Sequence, residues 1–171
     1  RINQWNGQQR RKLAEMKKKH QRISMIVDMA SRHQRQCRRC RLRENPQQSE
    51  AWREPPIEKA FEDCEQCVTH ACCWGKRRPD NGLLIKKSTK LKGDKEIIEE
   101  LNRQCNGNHS HSTVEGKMKI LEDGKWKTVN TSEWAGGYTE EFATAILIGA
   151  VKALRRRGFV PGEARKVYYG N

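Results

Sequence analysis

The stretch Cys105-Asn106-Gly107-Asn108-His109-Ser110-His111-Ser112 places one cysteine and two histidines within a few positions of each other. What precedes it, "KEIIEELNRQC" (95–105), reads as a helix with Asp94 as N-cap and acids in its first turns, where the helix dipole favours them. On that reading Ile97, Leu101 and Cys105 share one face, four residues apart. Asn106-Gly107 then supplies a left-handed stop. The chain that follows reads as extended, and in an extended segment residues two apart point the same way. His109 and His111 can therefore aim together at an ion that Cys105 also reaches. A tetrahedral ion needs a fourth donor, and the pool at His70, Cys72 and Cys73 is the nearest supply, with Cys72 or Cys73 the better candidates. The competing reading is a polar strand that exposes two unliganded histidines.

A second set of donors lies upstream. Cys37-x-x-Cys40 and Cys64-x-x-Cys67 are two CxxC pairs with 23 residues between them. Two thiolates three positions apart can grip one tetrahedral ion from a tight turn, and a second such pair completes the shell. The expected cofactor is Zn²⁺, one or two ions. Seven cysteines, an odd number clustered in this way, fit reduced metal-bound thiolates better than a disulfide framework. Ordinary buried thiols or a redox pair are the alternatives, though no βαβ pattern accompanies them.

The His-x-His ending is similar to that of zinc modules in the WRKY and GCM class, where two cysteines precede His-x-His. The WRKYGQK strand is missing here and the Cys-to-His spacing differs, so only the ligand chemistry carries over. "CNGNHSHSTVEG" followed by "TSEWAGGYTEEFATAIL" resembles a Cys-x-Gly-x-His-x-His stretch in copia-type retroelement polyproteins, over residues 105–148. That resemblance implies a mobile-element or viral origin, with nucleic acid as the natural partner.

Around these motifs the chain is polar. Hydrophobic residues make up 35% and charged residues 33% of 171, with a mean hydropathy of −1.01. So little apolar area leaves a need for some other constraint, which bound metal would meet. The net charge is +14. Residues 1–44 carry 14 Lys/Arg against Glu15, Asp28 and Glu44, so most of that excess sits in the N-terminal quarter. Such density suits a polyanion, above all a phosphate backbone. The expected contacts are Arg10, Arg11, Lys12, Lys17, Lys18, Lys19, Arg38, Arg39, Arg41 and Arg43. A second basic stripe follows at Lys76, Arg77, Arg78, Lys86 and Lys87. Trp5, Trp52 and Trp74 lie in or near these segments as candidates for base stacking or for packing.

The expected fold class is α+β: small zinc-stabilised domains with a long basic N-terminal helix, a β-hairpin and a C-terminal amphipathic helix. Residues 1–44 form a basic helical arm, 45–112 a Cys/His-rich zinc-binding region, and 113–171 the hairpin with its helix. In the arm, Leu13, Met16, His20, Ile23, Val27 and Ala30 mark an apolar seam. The Pro-rich stretch 44–58 reads as a linker, and 59–75 as a short cysteine-rich segment, helical around "EKAFEDCEQCVTH". "STVEGKMKILEDGKWKTVN" predicts a hairpin turning at Asp123-Gly124. Thr139 predicts the cap of a last helix with Phe142, Ile146, Leu147, Ala150, Val151 and Leu154 on its apolar face. No apolar run reaches transmembrane length, which suits an intracellular, nuclear or cytoplasmic protein. A chain opening on Arg1 reads as a piece of a longer one.

No catalytic pattern is evident. His111 is followed by Ser112-Thr113 rather than the glutamate of a zinc deaminase, and H-E-x-x-H is absent. A ββα-metal nuclease would place its histidines between the CxxC pairs. The leading expectation is a zinc-stabilised nucleic-acid-binding module, binding DNA or RNA. A zinc-stabilised interaction module, with a homo-oligomer through the helical seams, is the alternative. A zinc-dependent nuclease is the third reading.

Overall fold

The computed structural model describes residues 6–159, so Trp5 and the first residues of the expected helical arm lie outside it. It mixes helix and sheet and divides into two compact units, one of residues up to 41 with 48–63, the other of residues 42–47 with 64 onward. Among the described residues no helix is long and apolar enough to cross a membrane.

The first unit is built on helix α1 (Gly7–Gln36) and the short α2 (Pro55–Ala60), which pack together. Asn6 and Gln9 close a capping box, each side chain bonded to the other's backbone N–H at 2.9 Å. Pro55 and Pro56 start α2, where the missing N–H costs nothing. The seam of α1 is turned from the expected one. Ser24 and Ser31 are buried, whereas Met16, Ile23, Met25, Ile26 and Met29 are exposed. Two serines let the backbones approach, and Ser31 Oγ donates to the Ala60 carbonyl at 2.9 Å. Ile57, Ala60 and Phe61 supply buried apolar area.

The second unit opens with a three-stranded antiparallel sheet of β1 (Leu42–Pro46), β2 (Glu65–His70) and β4 (Ser88–Gly93), in the order β1-β4-β2. The stretch expected to be linker therefore begins with a strand. Within the segment expected to be helical, residues 65–70 instead form β2, whose Cys67 and Thr69 alternate inward and pair with the buried Leu91 and Thr89. A two-residue parallel pairing joins β3 (Leu84–Ile85) to β5 (His111–Ser112).

Helix α3 (Lys95–Leu101) stops one turn before the predicted end, so Cys105 lies in the following loop rather than on the helix. It packs on α5 (Glu140–Arg156) and touches β2 and β4. Ile97, Ile98 and Leu101 are all buried there. The inward face of α5 is Phe142, Ala145, Gly149 and Ala153, while Leu147 and Val151, expected inside, are exposed. Gly149 explains the rotation: a Cβ on it would lie 2.5 Å from Ile97 Cα and 2.9 Å from the Glu96 carbonyl. The helices cross where the side chains are smallest. Thr139 caps α5 as expected, its hydroxyl accepting from Phe142 N–H at 3.3 Å.

Between these helices lies the hairpin β6 (Lys117–Glu122) and β7 (Lys125–Asn130), followed by one helical turn, α4 (Thr131–Trp134). Asp123 and Gly124 both take positive φ, 52° and 74°, as a two-residue turn that matches strand twist requires.

Candidate metal centre

Cys72, Cys105, His109 and His111 come together in the second unit, each offering one ligand atom, with all four atoms within 4.8 Å of one another. Cys72 comes from the 3₁₀ turn Ala71–Trp74 that ends β2. Cys105 and His109 come from the loop after α3, and His111 from β5. Cys105 Sγ lies 3.7 Å from His109 Nε2 and 3.4 Å from His111 Nε2. A tetrahedral zinc with Zn–S near 2.3 Å and Zn–N near 2.0–2.1 Å sets S···N separations of about 3.6 Å. The donor set fits a metal ion in type, number and spacing.

The local sequence explains how the loop achieves this. Gly107 takes φ +81° and turns its N–H back onto Cys105 Sγ at 3.3 Å, which orients the sulfur. Asn106 Oδ1 accepts from Asn108 N–H at 3.1 Å and tightens the same bend. The extended exit is pinned because His111 pairs with Leu84 across the parallel bridge. The two imidazoles meet edge to face, centroids 4.5 Å apart.

His70 serves the site without belonging to the donor group. Its Nδ1 accepts the Cys105 backbone N–H at 2.9 Å, which fixes the loop against the end of β2. Burial lowers its pKa, and Lys86 and His111 add to the effect, so the ring keeps the lone pair that this bond needs. No spacing rule marks His70 for this role; its place two residues before Cys72, in the pool of possible donors, is the only hint. Burial, then the charges of His109 and Lys86, also lowers the His111 pKa. Cys72 is 5% exposed, and burial pushes its thiol up to about 12, with Cys105 and Cys73 adding. Cys73 is half-buried and outside the group.

The CxxC cysteines divide between the units. Cys37, exposed at the C-cap of α1, and the half-buried Cys40 belong to the first. Cys37 Sγ lies 3.5 Å from His33 Nε2. Cys64 and Cys67 belong to the second, and burial pushes the Cys67 thiol up to about 11.

The expected basic contacts also separate into two kinds. Arg10, Arg11, Lys12, Lys17, Lys18 and Lys19 are exposed along α1, and Arg38, Arg39, Arg77 and Lys86 are exposed elsewhere. Other cations are tied into the fold. Arg41 is buried, forks onto Asp63 at 3.1 and 2.9 Å, and donates to the Ala60 carbonyl. Arg43 is half-buried in β1, and burial lowers its pKa. Lys76 is buried with its ammonium 4.7 Å over the Trp134 ring. Arg78 forks onto Asp80 at 2.9 and 2.6 Å, and Lys87 reaches the Ala135 carbonyl at 3.4 Å. Trp52 and Trp74 are buried, 7% and 2% exposed, so neither offers a face to a base. Trp74 packs edge-on against Phe142 at 5.1 Å and donates its N–H to Thr69 Oγ1 at 2.7 Å.

No family model, curated protein or solved structure matches the chain.

Proposed function

We propose that Cys72, Cys105, His109 and His111 hold one structural Zn²⁺, and that the chain is a nucleic-acid-binding module. The convergence of two thiols and two imidazoles is the observation that carries the zinc reading. Soft sulfur with imidazole in a tetrahedral set favours zinc among divalent ions, and four protein donors leave no open position for substrate. Bound zinc would tie the turn after β2, the loop after α3 and β5 into one node. What supports the polyanion reading is charge: +14 overall, with the lysines and arginines of α1 exposed in a row. A nuclease would need an open metal position and a neighbouring base, and neither is part of this donor set.

The test has two parts. Metal content per chain should drop by one zinc on Cys72→Ser or Cys105→Ser. Nucleic-acid affinity of the metal-loaded chain should fall steeply between about 50 and 200 mM salt, because phosphate contacts release counterions. Affinity indifferent to salt, or no binding, would defeat the polyanion reading.

One observation favours the oligomerisation reading instead: Met16, Ile23, Met25, Ile26 and Met29 are all exposed on α1. Sedimentation decides between them, since a concentration-dependent dimer that binds no polyanion would replace the first reading.

A further inference from the structure

We propose that the β6–β7 hairpin is a single-strand-binding ribbon, with Trp126 stacking on an unpaired base and Lys117 and Lys119 on the flanking phosphates. The inference rests on the nucleic-acid reading above and adds to it the element and the class of nucleic acid.

The strand register sorts the hairpin into two unlike faces. Lys117 pairs with Asn130, Lys119 with Thr128 and Leu121 with Trp126, so these six residues share one face. All six are exposed. The other face carries Met118, Ile120 and Val129; Met118 is 3% exposed and the other two half-buried. That face also holds the ion pair between Lys127 and Glu122. The hairpin is therefore anchored by one side only, and the outer side is free for a ligand.

The outer face has the composition of a stacking platform. Trp126 is 69% exposed and Leu121, directly across from it, 60% exposed. Together they make a continuous apolar patch at the tip. Lys119, Lys117, Thr128 and Asn130 continue the face inward from it, and no acid shares it. Its chemistry is a cationic strip beside a flat π-surface, which matches phosphate beside base. An acid-rich protein partner would use the lysines but leave the indole unexplained. In a duplex the bases are stacked on each other, so an indole on a ribbon face finds its partner in a strand whose bases are free.

Among the other tryptophans described, Trp52 and Trp74 are buried, and Trp134 is half-buried with its N–H donating to the Arg77 carbonyl at 3.2 Å. Trp126 has neither constraint: its indole makes no hydrogen bond and no ring contact among the described residues. The sequence pointed to Trp5, Trp52 and Trp74 because they sit in basic segments. Trp126 sits between Lys125 and Lys127, and only the strand register shows that its face, not theirs, is the open one.

Fluorescence anisotropy of the full metal-loaded chain tests this, using a labelled thymidine homopolymer of about twenty nucleotides, longer than one ordinary binding site, and a duplex of equal length. Trp126→Ala should weaken single-strand binding about tenfold and leave duplex binding unchanged, whereas Trp126→Phe, which keeps a π-face, should retain most of the affinity. Lys117→Gln with Lys119→Gln should lower the salt slope on the single strand by about 1.4, the value for two lost phosphate contacts. Each substituted side chain is exposed, so circular dichroism and zinc content should match the wild type. Equal single-strand affinity of Trp126→Ala and wild type would overturn the ribbon assignment while leaving the nucleic-acid reading intact. Equal loss on both nucleic acids would overturn stacking. A wild-type chain that binds neither would overturn both.

Discussion

The α3–α5 crossing and the loop from Asn102 to Ser112 adjoin each other in sequence and are held by opposite means. The crossing is dry and close: Ile97, Ile98 and Leu101 meet a helix whose inward residues shrink to Ala145, Gly149 and Ala153. Its stability comes from apolar area and van der Waals contact. The loop buries no residue at all, and what organises it is the geometry of Cys105, His109 and His111 around a shared point. A chain with so polar a composition has little apolar area to place in such a loop, and on the proposed reading a bound ion would supply the constraint that side-chain volume does not. The two regions should therefore respond to different perturbations.

The largest effect is expected at the loop. Cys105→Ser should cost more metal affinity than the roughly 10–100-fold typical of losing an outer-sphere partner, because a ligand itself is removed. Amide exchange should accelerate through Asn102–Ser112 and β3, while α3 and α5 amides keep their protection. Uniform loss of protection would show that the two regions are one cooperative unit.

Next comes Gly149→Ala. The added methyl meets backbone atoms that cannot turn aside, so a cost of about 2–3 kcal/mol is expected, with thermal unfolding some degrees lower. Zinc content should stay at the wild-type value. A variant as stable as wild type would mean that α5 is not seated against Ile97 as described.

His70→Ala sharpens the account from the loop side. Losing the acceptor for Cys105 N–H should lower metal affinity about 10–100-fold, and His70→Asn, whose side-chain oxygen can accept the same bond, should recover part of it. If alanine and asparagine behave alike, His70 matters for packing rather than for placing Cys105.

The smallest effect belongs to the rim of the crossing. Arg156 donates to Glu96 at 2.6 Å, and that hydrogen bond holds the Glu96 carboxyl below the usual range. A depressed carboxylate stabilises the fold above its unfolded pKa, near 4.3, and the contribution is lost as pH falls through the folded value. Arg156 is 69% exposed, so solvent screening keeps this contribution small. Glu96→Gln should lose this increment at pH 7, and its difference from wild type should shrink as pH falls through the folded carboxyl's range. A difference that does not shrink with falling pH would place its origin in packing.

Much of the candidate centre was legible before the fold. Cys105, His109 and His111 announce themselves by donor type and spacing, and Gly107 by the bend it permits. Choosing between Cys72 and Cys73 required the 3₁₀ turn, in which one thiol turns inward and its neighbour does not. The hairpin and the α5 cap were also legible, because Asp123-Gly124 and Thr139 act through their own backbone neighbourhoods. Long-range packing was not. The faces of α1 and α5 were ranked by hydrophobicity, whereas close approach selected Ser24, Ser31 and Gly149, small residues that such a ranking passes over. β2 differs from the helix expected around it because Cys67 and Thr69 turn inward while Val68 and His70 alternate with them, the strand period. In sequence His70 stands only as one more possible donor, since its actual role is a single acceptor atom facing a backbone N–H thirty-five residues away.

Counting zinc per chain by native mass spectrometry, in the wild type and in Cys105→Ser purified alike, bears most directly on the central claim. The account predicts a zinc-loaded wild type and one ion fewer in the variant. Equal zinc counts in the two, or a wild type that holds none, would contradict it.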